Sequence, residues 1–306
     1  MNMDANSAYQ MVSKEIKKHI AGKEDIIKLM FIALIANGHC LLEGVPGVAK
    51  TMITKSLADA IDGEFKRVQG TPDLEMKDII GFTYMDEADH TVKIKTGPIF
   101  TNILLIDELN RTPAKTMAAF LEALEERQVT IPGAPTQMLK NPFIAFATQN
   151  PLNIEGTIPL PKVLTDRFLM RIAVSYPSNE EEQEMLRLKE AEATVKTERV
   201  IGVKDVLQLQ QDVGSIRMSD DVAAFITRLV DATRDEIHIV MGASPRAEIS
   251  FMQCSKAKAL IEGRKEVSID DVKYLAKPVL SHRLVVRSTG GIGVNGVIDG
   301  IVTNIK

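Results

Sequence analysis

Tryptophan is absent from this 306-residue chain, and aromatic residues make up only 5% of it. A protein that tracks single-stranded nucleic acid needs aromatic platforms for base stacking, and few are available here. Positive charge is not in excess either. Lys and Arg number 37 against 41 Asp and Glu, a net charge of -4, so no bulk field recruits nucleic acid, although a local basic groove stays open. The two cysteines, Cys40 and Cys254, cannot form a disulfide framework. Neither they nor His19, His39, His90, His238 and His282 fall in a metal-ligand spacing. The longest apolar stretch, Leu29 to Ala36, is too short to span a bilayer. Met1-Asn2-Met3-Asp4 carries no basic segment followed by an apolar one, so a cytoplasmic protein is expected.

The composition is that of a globular chain with a real core, 45% hydrophobic and 25% charged. Up to Val174, short apolar runs alternate with helical patterns: Cys40 to Leu42, Phe65 to Gln69, Ile103 to Ile106, Phe143 to Ala147 and Leu169 to Val174. Such runs suit strands buried on both faces of a parallel sheet, and the alternation predicts an open α/β fold. Thr112-Pro113 reads as an N-cap followed by Pro at the first helical position, ahead of Met117, Phe120, Leu121 and Leu124. Near Tyr176-Pro177-Ser178 the pattern changes. Ser178 and Glu181 form a capping box, Ser219 and Ser268 open further helices, and no strand is predicted from there to Leu280. We therefore expect an α/β domain over 1–176 and an all-α domain over 177–306. Gly290 to Gly293 reads as a turn, since no strand-to-helix context surrounds it.

Gly44-Val45-Pro46-Gly47-Val48-Ala49-Lys50-Thr51 lies between an apolar run and a helical pattern, the setting of a phosphate-binding loop. Its glycines let successive N–H groups converge on phosphate oxygens, Lys50 would reach the β- and γ-phosphates, and the Thr51 hydroxyl would face Mg2+. Ala49 stands where a second glycine is usual, which is acceptable if that residue is right-handed helical. Ile103 to Ile106 ends in Asp107-Glu108. Two acids cannot stay inside a buried strand, so they emerge at its C-terminal edge, where open α/β sheets bind ligands. Asp107 is then the candidate for holding Mg2+ and Glu108 the candidate base for the attacking water. Asn150, just past the apolar run that starts at Phe143, could hydrogen-bond both the γ-phosphate and the water. Arg167 is either half of a solvated pair with Asp166 or a finger for a neighbour's nucleotide. Arg246 follows Ser244-Pro245 in the first turn of a helix, a poor place for a cation unless a phosphate recruits it.

Together these motifs resemble the MoxR family of AAA+ ATPases over nearly the whole chain. The resemblance is carried by Leu41 to Thr51, Gly70 to Leu74, Gly97 to Phe100, Asp107 to Pro113, Leu121 to Val129, Ala147 to Pro151, Asp166 to Phe168, Gly242 to Ala247 and His282 to Leu284. It implies a P-loop fold with a helical lid, ATP and Mg2+ as ligands, and ATP hydrolysis. It assigns Gly44 to Thr51 to Walker A, Asp107 and Glu108 to Walker B, Asn150 to sensor 1, Arg167 to the arginine finger and Arg246 to sensor 2. It further implies a homo-oligomeric, usually hexameric ring, chaperone-like work on a protein client, and a partner with a von Willebrand factor A (integrin-like) domain. Hairpin insertions are expected near 73–94 and 129–139. Lys162-Val163-Leu164 departs from the family's usual acidic and polar residues there, as Leu109 does from a common isoleucine. A nucleic-acid translocase and a metal-chelatase motor subunit are the alternative functions.

Overall fold

The computed structural model describes residues 3–150, 156–191, 196–287 and 293–305; Gly290 to Ile292 fall outside that set. Five parallel strands form the central sheet: β1 (Cys40–Glu43), β2 (Phe65–Gln69), β3 (Ile103–Asp107), β4 (Ile144–Gln149) and β5 (Met170–Ala173). Their order is β5-β1-β4-β3-β2. Side chains alternate across the sheet, so Cys40 and Leu42 enter one core while Leu41 between them enters the other. The first core is covered by α1 (Ala5–Lys17), α2 (Glu24–Ile35) and α3 (Lys50–Ala60), the second by α4 (Ala114–Glu126). Burial on both faces explains why β3 and β4 read as unbroken apolar runs. Register brings the C-terminal ends level: Glu43 pairs with Gln149 and Gln69 with Asp107.

Helix α4 starts at Ala114 with Pro113 at the cap, so the expected Thr112 N-cap does not form; the Thr112 hydroxyl is buried without a partner. Two antiparallel hairpins interrupt the α/β layout, Gly81–Met85 with Val92–Thr96 and Gln128–Val129 with Gln137–Met138.

The C-terminal part comprises α5 (Asn179–Ala191), α6 (Val203–Ser215), α7 (Asp220–Asp235), α8 (Pro245–Ile261), α9 (Ile269–Leu280) and α10 (Val294–Asn304). The capping box at Ser178 forms as written: Glu181 N donates to Ser178 Oγ at 3.2 Å and Ser178 N donates to Glu181 Oε2 at 2.9 Å. Contrary to the all-α expectation, this part carries short strands. Ile201–Gly202 pairs with Ile61–Asp62 beside the sheet domain, and Ile239–Met241 pairs with Val285–Val286. Strands of two or three residues leave no periodicity to read.

The two parts share one core, in which Ile27 and Phe31 belong to the same cluster as Phe251 and Leu275. Polar latches add to it. Arg283 is buried and donates from Nε to Asp166 Oδ1 (3.0 Å) and from its terminal nitrogens to the carbonyls of Phe168 (2.9 Å) and Leu169 (3.2 Å). Ser244 Oγ donates to the other oxygen of Asp166 at 2.9 Å, and Lys162 Nζ reaches the carbonyls of His282 and Leu284. Removing one member of a buried charged network strands the rest, so Arg283→Met is expected to cost about 3 kcal/mol, read from urea unfolding.

A second latch joins Lys28 of α2 to Glu262, which also accepts from Lys258 and Arg264, at 2.7–2.8 Å in each case. Burial opposes ionisation of Glu262, yet these three cations outweigh it and hold its carboxyl down at about 2 from an ordinary 4.5. Asp271 is held low in the same way by Arg264, Lys258 and Ser268 against its own burial. A depressed carboxyl contributes its full stability above its unfolded pKa and loses it as pH falls through the folded value. Stability should therefore fall from about pH 4.5 toward pH 2, and Glu262→Gln should flatten that limb in acid titrations followed by circular dichroism.

Candidate functional site

The loop from Gly44 to Ala49 leaves β1 and opens α3. A side chain at Gly44 would put its Cβ 2.4 Å from the Val174 carbonyl oxygen, so the strand exit admits only glycine. Gly47 lies at φ +86°, and a Cβ there would meet nothing within 4 Å, which leaves the space beside the loop open. Ala49 does not meet the right-handed condition set for it above: it caps α3 in the left-handed region, at φ +66° and ψ +18°. The loop thus alternates its backbone sense over successive residues, the arrangement that gathers N–H groups around an anion.

Lys50 is buried, and its Nζ donates to the Gly44 carbonyl (2.5 Å), the Val45 carbonyl (2.9 Å) and Asn150 Oδ1 (3.2 Å). Burial lowers its pKa, with Asp107, Glu108 and Glu43 acting in the opposite sense. Thr51 Oγ1 donates to Asp107 Oδ2 at 3.0 Å, and Thr148 Oγ1 donates to Asp107 Oδ1 at 2.6 Å. Arg67, one pleat back along β2, closes on the same Oδ2 from Nη2 at 2.7 Å and Nε at 3.2 Å. The Asp107 carboxylate is therefore aimed by two hydroxyls and a guanidinium at the end of the loop.

Glu108 sits in the left-handed region (φ +54°, ψ +47°) with its N–H donated to Thr148 Oγ1 at 2.8 Å. Gly70 must be glycine beside it, because a Cβ would come within 2.2 Å of the Glu108 carbonyl oxygen. The Glu108 carboxylate accepts from Gln69 Nε2 (3.2 Å), Arg111 Nη1 (3.2 Å) and Asn150 Nδ2 (3.3 Å). Asn110 holds the Asn150 backbone from both sides, donating to its carbonyl at 2.9 Å and accepting from its N–H at 3.3 Å. Lysine can only donate and carboxylate only accept, so the Asn150 amide orientation follows from its neighbours: oxygen to Lys50, nitrogen to Glu108.

Lys50, Thr51, Arg67, Gln69, Asp107, Glu108, Thr148 and Asn150 line one cavity of about 570 Å³, with Asn110 and Arg111 behind it. Its far end is walled by Ile20 and Ala21, between α1 and α2, and by Met185 and Leu186 of α5. The structure thus brings together Pro46 to Thr51, Asp107, Glu108 and Asn150, while Gly44 and Val45 lie outside the lining and meet Lys50 through their carbonyls. It places Arg167 and Arg246 elsewhere: neither lines this cavity, and both meet Glu125 near the end of α4. The sequence reading assigned no role to Arg67, Gln69, Asn110, Arg111 and Thr148. Arg67 and Gln69 did leave a signal, as polar residues two apart on a strand that ends level with Asp107. Among the described residues no cluster of His, Cys, Asp and Glu forms a closed metal site, and both cysteines are buried and unpaired. No described helix is long and apolar enough to cross a membrane.

Comparison with known proteins agrees in extent with this architecture. Residues 39–170 match the family model of the ATPase family associated with various cellular activities (AAA), and residues 231–293 match that of the AAA lid domain. The chain is 40% identical to the Bacillus subtilis protein YeaC, over 96% of this chain and 92% of that one. It is 38% identical to the chaperone MoxR1 of Mycobacterium tuberculosis, over 89% of this chain and 74% of the relative. A crystal structure from Cytophaga hutchinsonii superposes with a TM-score of 0.89 at 35% identity, covering 99% of this chain and 95% of that one.

A left-handed alanine is strained relative to glycine. Ala49→Gly should raise the unfolding free energy by about 1 kcal/mol in urea titrations, offset in part by the freer unfolded chain.

Proposed function

Because this chain belongs to the MoxR family of AAA+ ATPases, and is itself an ATPase of that type, we propose that it hydrolyses Mg·ATP in the cavity between the loop and the strand ends, as one subunit of a ring that remodels partner proteins. The observation that carries this reading is the convergence on one cavity of a buried lysine, a hydroxyl–carboxylate pair and a carboxylate bridged to the lysine by a single amide.

The residues fit the ligands. Thr51 Oγ1 and Asp107 Oδ2 are hard oxygen donors 3.0 Å apart, the donor type that Mg2+ takes. When bound there, the metal would neutralise charge on the β- and γ-phosphate oxygens. The N–H groups of Gly47 to Lys50, at the N-terminus of α3, cradle the phosphates; Pro46 has none to give. Lys50 exchanges the carbonyls of Gly44 and Val45 for phosphate oxygens. The apolar wall of Ile20, Ala21, Met185 and Leu186 takes the base. Glu108 accepts the proton of the attacking water, and Asn150, already bonded to Glu108 and Lys50, holds water and γ-phosphate in one geometry. Gln69 and Arg111 fix the direction of the Glu108 carboxylate.

Arg167 and Arg246 share a surface apart from this cavity, which supports their serving the nucleotide of a neighbouring subunit. A head-to-tail contact of that kind closes into a ring, hexameric in our reading. Hydrolysis in one subunit then alters what the next subunit's arginines hold, and the lid follows through its latches to the sheet domain. Similarity to a relative named as a chaperone supports a protein client. A partner with a von Willebrand factor A domain and a cytoplasmic setting complete the proposal.

Glu108→Gln keeps the shape of the side chain and removes its basicity. Steady-state phosphate release should fall by about 10²–10⁴-fold, while binding of a fluorescent ATP analogue in the presence of Mg2+ stays near wild type. Turnover equal to wild type would remove Glu108 as the base.

A further inference from the structure

Glu125 occupies the last turn of α4, where the helix dipole disfavours a carboxylate and no basic residue of the helix compensates. Its compensation comes from two other elements. Arg246, in the first turn of α8, grips it bidentately, Nη1 to Oε2 at 2.6 Å and Nη2 to Oε1 at 2.7 Å. Arg167, which lies between the short helix Lys162–Thr165 and β5, brings its Nε within 3.3 Å of Oε2. That Nε is buried and makes no directed hydrogen bond, while Nη1 donates to the Val163 carbonyl at 2.5 Å. Asp166 lies beside the group, 3.8 Å from Arg246 Nε, and is engaged by Arg283 and Ser244.

Two guanidinium groups repel unless an anion separates them, and Glu125 supplies it. With Asp166 matched to Arg283, one carboxylate serves two arginines, and the group keeps a net charge of +1 at a face where a phosphate could dock. One arginine belongs to the sheet domain and the other to the lid, so without the shared carboxylate a lid rotation would part them. The hydrogen bonds from Arg246 hold the Glu125 carboxyl below its usual range.

We propose that Glu125 is a positioning residue that joins Arg167 of the sheet domain and Arg246 of the lid into one two-guanidinium unit, which meets the γ-phosphate bound by the neighbouring subunit. The proposal rests on the reading above that both arginines act on a neighbour's nucleotide, and it adds that they act together and through Glu125. An ordinary exposed ion pair would contribute little to stability or to turnover.

The test uses the full chain under assembling conditions, with Glu125→Ala and the isosteric, uncharged Glu125→Gln. In both, kcat for ATP should fall about tenfold or more while KM stays within about twofold, because the nucleotide's own cavity is untouched. Glu125→Ala added to Arg167→Ala should cost nothing further, as expected of residues acting as one unit. Subunit mixing assigns the side of the interface. Lys50→Ala subunits, which cannot bind nucleotide, should restore turnover to Arg167→Ala subunits, and should lose that ability when they also carry Glu125→Ala. If Glu125→Ala melts at a lower temperature than wild type, Glu125→Gln carries the comparison. Wild-type kcat in Glu125→Gln alongside impaired Arg167→Ala and Arg246→Ala would overturn the role of Glu125 alone. Wild-type kcat in both arginine variants would overturn the reading beneath it.

Discussion

One amide holds the site together. Asn150 accepts from the ammonium of Lys50 and donates to the carboxylate of Glu108, so the buried cation of the loop and the carboxylate at the strand end are set relative to each other through a single rigid group. Its own position is not left to the loop that follows it, since Asn110 clamps its backbone on both sides. In a cavity partly shielded from water, such fixed dipoles retain most of their electrostatic effect.

Backbone strain gathers at the same place. Ala49 and Glu108 both occupy the left-handed region, where side chains with a Cβ are disfavoured. Each is held there by its surroundings: Ala49 by the start of α3, Glu108 by the Thr148 hydroxyl on its N–H and by the close approach of Gly70 to its carbonyl. Strain of this kind persists where neighbouring contacts over-determine the conformation, which is the usual circumstance of a functional site. The left-handed Ala49 turns the loop amides inward, and the left-handed Glu108 turns its carboxylate off the strand axis toward Asn150.

The lid is tied to the sheet domain by charge as well as by apolar packing. Arg283 with Asp166 and Lys28 with Glu262 cross between the two parts, and the shared core runs continuously beneath them. A movement of the lid must therefore exchange specific ion pairs as it goes. That gives the nucleotide a definite set of contacts to bias, since a ligand shifts a conformational equilibrium only through differential interactions with its states.

The α/β layout, the phosphate-binding loop and the acidic pair were legible in the residues alone because each is a local pattern. Buried parallel strands must be continuously apolar, a phosphate loop must lie between strand and helix, and Asp107-Glu108 cannot stay inside a strand. Tertiary structure decided what depends on residues distant in the chain. The condition that would make alanine unstrained at position 49, a right-handed backbone, is not met, and neither the Thr112 cap nor a strand-free lid survives packing. Arg67, Gln69 and Asn110 join the site only because strand order β4-β3-β2 sets their ends side by side. Arg167 and Arg246 are 79 positions apart in sequence (246 minus 167), so no spacing rule could pair them. A carboxylate on a third element does so, because opposite charges brought close in space attract regardless of where the chain places them.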